Sequence, residues 1–361
     1  MARDLGVGIV GYGLAGQVFH RPLVDATPGL RVAAVMVRNE ERAQKAREDN
    51  PEAAVVADFN ELLRRRDVDV VVLATPHDVH CEQAVAALRA GRSVVVDKIM
   101  ARSVAEADRM IRAAALNRQV LTVFHNRRWD SDWLTLLDVL KQGLLGEIWS
   151  IDVNVARPSM PLRALGEDRR WRAQAEHFGG QLVDWGAHLM DQVVLLAGSQ
   201  PERVFCDLQY KQEGNENDTE AYVALRYDGG LRVTVTVSVQ SWTERPHWRV
   251  HGSLGSLRIE GIDPQESITA RTGRVAAGTP EAALPEGAIH LFNAEGTSEI
   301  PALPGNWLAF YENLRQSVLG HADPVVTPEH CRNVLRLYER LFRAAGKTNV
   351  TTSDRSTGLL A

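Results

Sequence analysis

The sequence predicts an α/β protein in two parts: a doubly wound parallel sheet, then an α+β unit built on a large open sheet. Three observations carry this. Up to Phe124, short apolar strands alternate with helical stretches, the pattern of a parallel sheet with crossover helices. Val70-Val71-Val72-Leu73 and Val94-Val95-Val96 are unbroken apolar runs, as in strands covered on both faces. Further on, Arg232, Thr234, Thr236 and Ser238 alternate with Val233, Val235, Val237 and Val239. That period of two marks a strand with one covered face and points to antiparallel pairing.

In chain order, the strands expected in the first part are Val7–Val10, Arg31–Val37, Ala54–Ala57, Val68–Ala74, Ser93–Val96 and Val120–Phe124. The first runs into Gly11-Tyr12-Gly13-Leu14-Ala15-Gly16, and a helix opens near Leu14. Glycines in this G-x-G-x-x-G pattern allow a tight turn, approach of backbone to a pyrophosphate, and close helix–strand packing. The free N–H groups of the helix N-terminus favour phosphate. A helix over Glu82–Ala90 stops at Gly91, and Ser103-Val104-Ala105-Glu106 reads as a capping box that opens the next helix.

After Asn126 the pattern changes. A helix over Asp132–Gln142 ends at Gly143, and a strand covers Ile148–Val155. An Arg-rich loop (157–178) and a Gly179-Gly180 break precede a helix over Leu182–Ala197. Strands follow at Arg203–Gln209, Ala221–Tyr227, Leu231–Val239, Trp248–His251 and Ser256–Glu260. Residues 262–304 are rich in Gly, Pro and Ala and are expected to form loops and an edge strand. Helices over Trp307–Leu319 and Pro328–Ala345 close the fold. The expected division is 1–126, 127–345 with its last helix packing back on the first unit, and a polar, frayed tail at 346–361.

The bulk numbers narrow the function class. The 361 residues are 45% hydrophobic, enough for two units with large cores, so neither disulfides nor a structural metal is needed. With 41 basic and 46 acidic residues the net charge is −5, which argues against a nucleic-acid surface. Cys81, Cys206 and Cys331 are odd in number and widely spaced, as in buried free thiols of a reducing cytosol. No signal peptide fits before the first strand and no apolar run spans a membrane, so the expected location is cytoplasmic, with no membrane partner.

In an open parallel sheet, ligands sit outside the carboxyl ends of the strands. The glycine turn is one such end. At the end of the second strand an NAD site wants Asp or Glu for the ribose 2′-OH. Here that point carries Arg38, with Asn39 and Arg42 nearby. A guanidinium would grip a 2′-phosphate instead, which predicts NADP; the alternative is a solvated Arg38 with Glu40 or Glu41 on the ribose. The third end is Thr75-Pro76-His77-Asp78-Val79-His80, and the fourth is Asp97-Lys98, where Lys98 either faces the cofactor crevice or begins a surface loop.

These residues resemble a known family. The glycine turn, the Thr75-Pro76…His80 turn, the tripeptide Asp97-Lys98-Ile99 and the Asp184…His188 helix together resemble the Gfo/Idh/MocA oxidoreductases, over about residues 5–345. Phe124-His125-Asn126-Arg127-Arg128-Trp129-Asp130, Asp184-Trp185-Gly186-Ala187-His188-Leu189-Met190-Asp191-Gln192 and Gly11–His20 look like those of its NADP-dependent scyllo-inositol dehydrogenases. The resemblance implies a Rossmann unit, a second unit with an open mixed sheet, a substrate cleft between them, and homodimers or homotetramers packed through that sheet. Two departures stand out. The family's Glu-Lys-Pro is Asp97-Lys98-Ile99 here. A cis bond costs ~2.5–4 kcal/mol before a non-proline residue against ~0.5–1 before proline. A trans Lys98–Ile99 bond and a displaced Lys98 side chain are therefore expected. His77 replaces the family's Asn, near the nicotinamide ribose, where it is expected to alter cofactor grip or pH response.

Asp184 and His188, spaced i, i+4, share a helix face, and Asp191 continues the stripe as a structural residue. Oxidising a carbinol needs a base, and histidine suits that work at neutral pH. His188 is assigned as general base/acid. Asp184 would orient it or bind a hydroxyl, and Lys98 would stabilise alkoxide charge. The alternative is a capping Asp184 and a core His188. Arg127, Arg128, Trp129, Arg157, Trp171 and Arg172 are candidate substrate contacts, since guanidinium donors and aromatic faces suit a polyol; solvated or ion-paired arginines are the other reading. Trp242 and His247-Trp248 are assigned to packing or a subunit interface. No metal-ligand spacing accompanies these residues. The functions in play are an NADP-dependent dehydrogenase/reductase of a cyclic polyol or sugar, redox-neutral assistance to glycoside cleavage, and a non-catalytic NADP-binding regulator.

Overall fold

The computed structural model describes residues 3–157 and 171–347. Most of the Arg-rich loop and the frayed tail expected from the sequence lie outside them.

Strands β1 (Leu5–Val10), β2 (Leu30–Met36), β3 (Ala54–Val56), β4 (Val70–Leu73), β5 (Ser93–Val96) and β6 (Leu121–Val123) form one sheet, ordered β3-β2-β1-β4-β5-β6, with every pairing parallel. The valines of β4 and β5 are fully buried, as unbroken apolar runs require. The order reverses between β1 and β4, so the carboxyl ends of these two strands flank a crevice. Helices α1 (Arg21–Ala26), α2 (Glu40–Asp49), α3 (Phe59–Arg64), α4 (His80–Arg89) and α5 (Val104–Asn117) make the crossovers. Asn39, Asp58 and Ser103 cap α2, α3 and α5 by accepting from the backbone N–H three residues on. Glu106 reaches back to the Arg102 N–H.

The second sheet has eight strands: β7 (Ile148–Ala156), β8 (Arg203–Gln209), β9 (Glu220–Arg226), β10 (Arg232–Ser238), β11 (Trp248–Gly252), β12 (Gly255–Ile259), β13 (Ile289–Asn293) and β14 (Gly296–Glu299), ordered β14-β13-β12-β11-β7-β10-β9-β8. It is mixed rather than antiparallel throughout. The alternating strand β10 runs antiparallel to β9 but parallel to β7. Parallel neighbours need a long crossover. Here the chain between them carries α7 (Trp185–Ala197) and the β8–β9 hairpin, with α6 (Ser131–Lys141) preceding β7. Val153, Val155, Val223, Val233 and Val235 bury one face. On that face Trp133 of α6 packs 5.8 Å from Trp248, whose indole N–H donates to Asp132 at 3.0 Å. On the other face Phe205 is 56% exposed beside Tyr222.

Residues 262–304 are more ordered than loops and one edge strand. They include α8 (Gln265–Thr272) as well as β13 and β14. Gly and Pro obscure the helix because they cluster on either side of it rather than within it. Then α9 (Leu308–Val318) and α10 (Pro328–Ala344) follow, and α10 reaches the first sheet's helices through Arg332–Asp108 at 3.0 Å and Glu339 on the Val104 N–H. Cys81, Cys206 and Cys331 are free and buried. Among the described residues no helix is long and apolar enough to cross a membrane.

Replacing the fully buried Trp248 by Ala removes the indole from the α6–sheet contact and takes one donor from Asp132, leaving His247 3.3 Å away. The expected loss is about 3–5 kcal/mol, read as a lowered denaturation midpoint.

Candidate functional site

At the end of β1, Gly11 turns with φ +95°, and a Cβ there would overlap the Ala74 carbonyl oxygen. A Cβ on Gly16 would overlap the Gly11 carbonyl oxygen. Both glycines are thus demanded by the protein's own packing. Gly13 is different: a Cβ there would meet only Arg42 Nη1, at 3.9 Å. Nothing in the protein forbids a side chain at Gly13, while a pyrophosphate approaching the backbone would. The chain then winds through a wide helical turn, Ala15–His20, before the regular helix starts at Arg21. Arg38 is exposed at the end of β2, and Arg42 stands one turn into α2. The Asn39 side chain is spent capping α2, and Glu40 pairs with Arg47 at 3.0 Å. This donor set fits a dinucleotide: open backbone at Gly13 and two arginines near the second strand's end.

Several predicted cofactor residues act through the protein rather than by their side chains. The Tyr12 ring is buried, with its hydroxyl on Asp49 and Asn50. Thr75 bonds Gln83, and the buried His80 ring lies 2.9 Å from the carbonyl oxygens of both Thr75 and Ile99, clamping the ends of β4 and β5 together. His77 donates from Nδ1 to the Phe178 carbonyl at 2.7 Å, and its neighbour Asp78 lies 2.9 Å from His177. Burial pushes the His77 pKa down to about 3, so it stays neutral near pH 7 rather than conferring a pH response.

The Lys98–Ile99 peptide is cis, contrary to the trans bond expected from sequence. Ile99 is buried and His80 sits at its carbonyl, so tertiary contacts fix the local conformation. Lys98 Nζ donates to the Asp184 carboxylate and, at 2.9 Å, to the Asp184 carbonyl. Helix α7 starts at Trp185 rather than Leu182, which puts Asp184 at its N-terminal boundary. Asp184 therefore pairs with Lys98 across the cleft, not with His188. Burial pushes the Asp184 carboxyl up, but Lys98 and Arg172, whose Nε is 3.9 Å away, outweigh it and hold the group well below the usual range. His188 is buried one turn on, and its Nδ1 has no partner among the described residues. Burial first, then Lys98 and Arg127, depress its pKa well below that of free histidine, so it rests as a neutral base.

These groups line a cleft of about 300 Å³ that reaches from Leu14, Ala15 and Asp97 on the first sheet's side to Arg127, Arg157 and Arg172 on the other. Arg127 pairs with Asp130 at 2.9 Å and with Glu266, and stacks 4.1 Å over Trp185. Three predicted substrate contacts, Arg128, Trp129 and Trp171, lie outside this lining. Arg128 is spent on Asp191 through bonds of 2.6 and 2.7 Å, with His330 3.0 Å from the same carboxylate. Trp129 packs on Phe310 and faces a separate surface groove. Adjacent residues in the turn after β6 point apart, and no sequence pattern says which faces the cleft. Trp171 packs edge-on against His77, behind Arg172. Sequence reasoning missed Glu266, hidden in the unrecognised α8, and the polar side chains Asn126, Gln181 and Asn215. Trp185 was legible only as part of the Asp184…Gln192 motif.

Comparison with known proteins agrees with this geometry. Residues 5–125 match the model of an oxidoreductase family with an NAD-binding Rossmann fold. Residues 133–258 match the GFO/IDH/MocA C-terminal domain. The chain is 32% identical over 341 residues to the uncharacterized oxidoreductase YdgJ of Escherichia coli, covering 94% of this chain and 96% of that one. It is also 32% identical over 348 residues to scyllo-inositol 2-dehydrogenase (NADP(+)) IolW of Bacillus subtilis, covering 94% and 93%. The solved structure of YPO2259 from Yersinia pestis superposes with a TM-score of 0.85 at 34% identity, covering 96% of each chain. With both halves matched and the Lys98–Asp184–His188 cleft between them, this chain belongs to the Gfo/Idh/MocA oxidoreductases.

Proposed function

We propose that the protein is an NADP-dependent dehydrogenase/reductase that interconverts a carbinol and a ketone on a cyclic polyol or sugar. The observation that carries this reading is the Lys98–Asp184 pair set one helical turn from neutral, buried His188. NADP bound along the glycine turn supplies the hydride acceptor. His188 takes the hydroxyl proton on oxidation and returns it on reduction. Lys98, fixed by Asp184, donates to the reacting oxygen and stabilises its developing negative charge. Asn126, Gln181 and Asn215 offer amides to the remaining hydroxyls, and Trp185 an apolar face. Arg38 and Arg42 support NADP over NAD, since Arg38 stands just past β2 where an acidic ribose ligand would, while Glu41 in the first turn of α2 is the alternative ribose ligand. The open face of the second sheet, with exposed Phe205 and Tyr222, is the proposed contact between copies.

His188→Ala is expected to lower kcat/KM by about 10²- to 10⁴-fold in assays of nicotinamide absorbance with inositols and sugars, while NADPH still binds by fluorescence. Retained turnover refutes the assignment. Arg38→Gln with Arg42→Gln is expected to weaken NADP at least about tenfold with NAD little changed, as loss of charge-assisted bonds to a phosphate implies. The depressed His188 pKa fixes a sign for pH. The base is lost only when His188 is protonated, so the acid limb of kcat/KM for oxidation is expected with its midpoint below about 6.5. A midpoint at or above that value contradicts the assignment.

A further inference from the structure

The cations of the cleft divide by what neutralises them. Lys98 is matched by Asp184, and Arg127 by Asp130 and Glu266. Arg157, just beyond β7, lines the same cleft and makes no ion pair among the described residues. Its guanidinium lies 4.3 Å over the Trp185 ring, the ring that Arg127 also stacks on. Stacking occupies the face of a guanidinium and leaves its in-plane N–H donors at the edge, where they match the two oxygens of a carboxylate. Burial, with repulsion from Arg127, lowers the Arg157 pKa against the pull of Glu266, Asp184 and Glu244. Trp185 directly follows Asp184 and begins the helix that carries His188. An anion on Arg157 thus lies one aromatic ring away from the groups that handle the reacting hydroxyl. A neutral polyol would leave this guanidinium without a charged acceptor. A phosphate would call for more than one cation free of other partners, and Arg172 already faces Asp184.

We infer that, within the sugars and polyols of that reading, the preferred substrate is a polyhydroxylated carboxylate, a sugar acid favoured over its neutral counterpart, with Arg157 as the residue that reads its charge. The inference deepens the oxidoreductase reading of this cleft and rests on it. The test titrates matched pairs, D-glucuronate against D-glucose and D-galacturonate against D-galactose, into the full-length chain loaded with NADPH, followed by nicotinamide fluorescence. NADP reduction by each compound is measured in parallel. The acid of at least one pair is expected to bind at least about tenfold tighter at low salt, with a preference that shrinks as salt rises. In Arg157→Met the affinity ratio is expected to fall to about one. Arg157→Lys, which keeps the charge but loses the fork, is expected to lie between. Equal binding of acid and neutral member, binding of neither, or a preference unchanged in Arg157→Met overturns the inference. Oxidation of neutral sugars without charge preference removes the inference and leaves the dehydrogenase reading standing. An Arg157-dependent acid preference without nicotinamide turnover does the reverse.

Discussion

The site depends on one contact: the Lys98 ammonium on the carboxylate and carbonyl of Asp184. It joins the end of a strand in the first sheet to the first turn of a helix packed on the second. Burial alone would drive the Asp184 carboxyl toward its protonated form, and the Lys98 and Arg172 charges reverse that. Paired, Asp184 stays ionised, Lys98 offers its remaining proton toward the cleft, and burial, reinforced by the Lys98 and Arg127 charges, keeps His188 neutral. Burial and this ion pair together set the protonation states that acid–base chemistry on a hydroxyl requires.

That contact is held from both sides. On the first sheet, buried His80 ties the carbonyls that end β4 and follow β5, and the buried Ile99 aims the segment from which Lys98 projects. Behind α7, Asp191 takes two bonds from Arg128 and lies 3.0 Å from His330. Burial alone would raise the Asp191 carboxyl, yet the neighbouring His125 and the doubly bonded Arg128 guanidinium hold it far below the usual range. Breaking a buried pair by removing one partner costs about 3–5 kcal/mol, so this cluster fixes the pose of the helix carrying His188. Arg128 and Asp191 lie outside the cleft lining.

Much of the fold was legible because its signals are local. Unbroken valine runs, a glycine turn and side-chain caps act within a few residues, and the structure places them where those rules require. Pairing direction was less legible. The alternation in β10 reports which residues face the core, but parallel or antiparallel pairing with β7 depends on how the intervening chain crosses over. Helix α8 escaped notice because flanking Gly and Pro dominate the composition around it, and Glu266 went with it.

The sequence by itself determined the chemistry on offer: a dinucleotide turn, a lysine at a strand end, and an Asp/His pair one helical turn apart. Each is a short-range pattern, and short-range geometry follows from backbone sterics. Tertiary structure decided which residues use that chemistry. It gave Asp184 to Lys98 instead of His188, spent Arg128 on Asp191, turned Trp129 away, and left Arg157 stacked on Trp185 without a carboxylate partner among the described residues. Those outcomes rest on burial and on charges brought together from distant parts of the chain, and no local pattern encodes either.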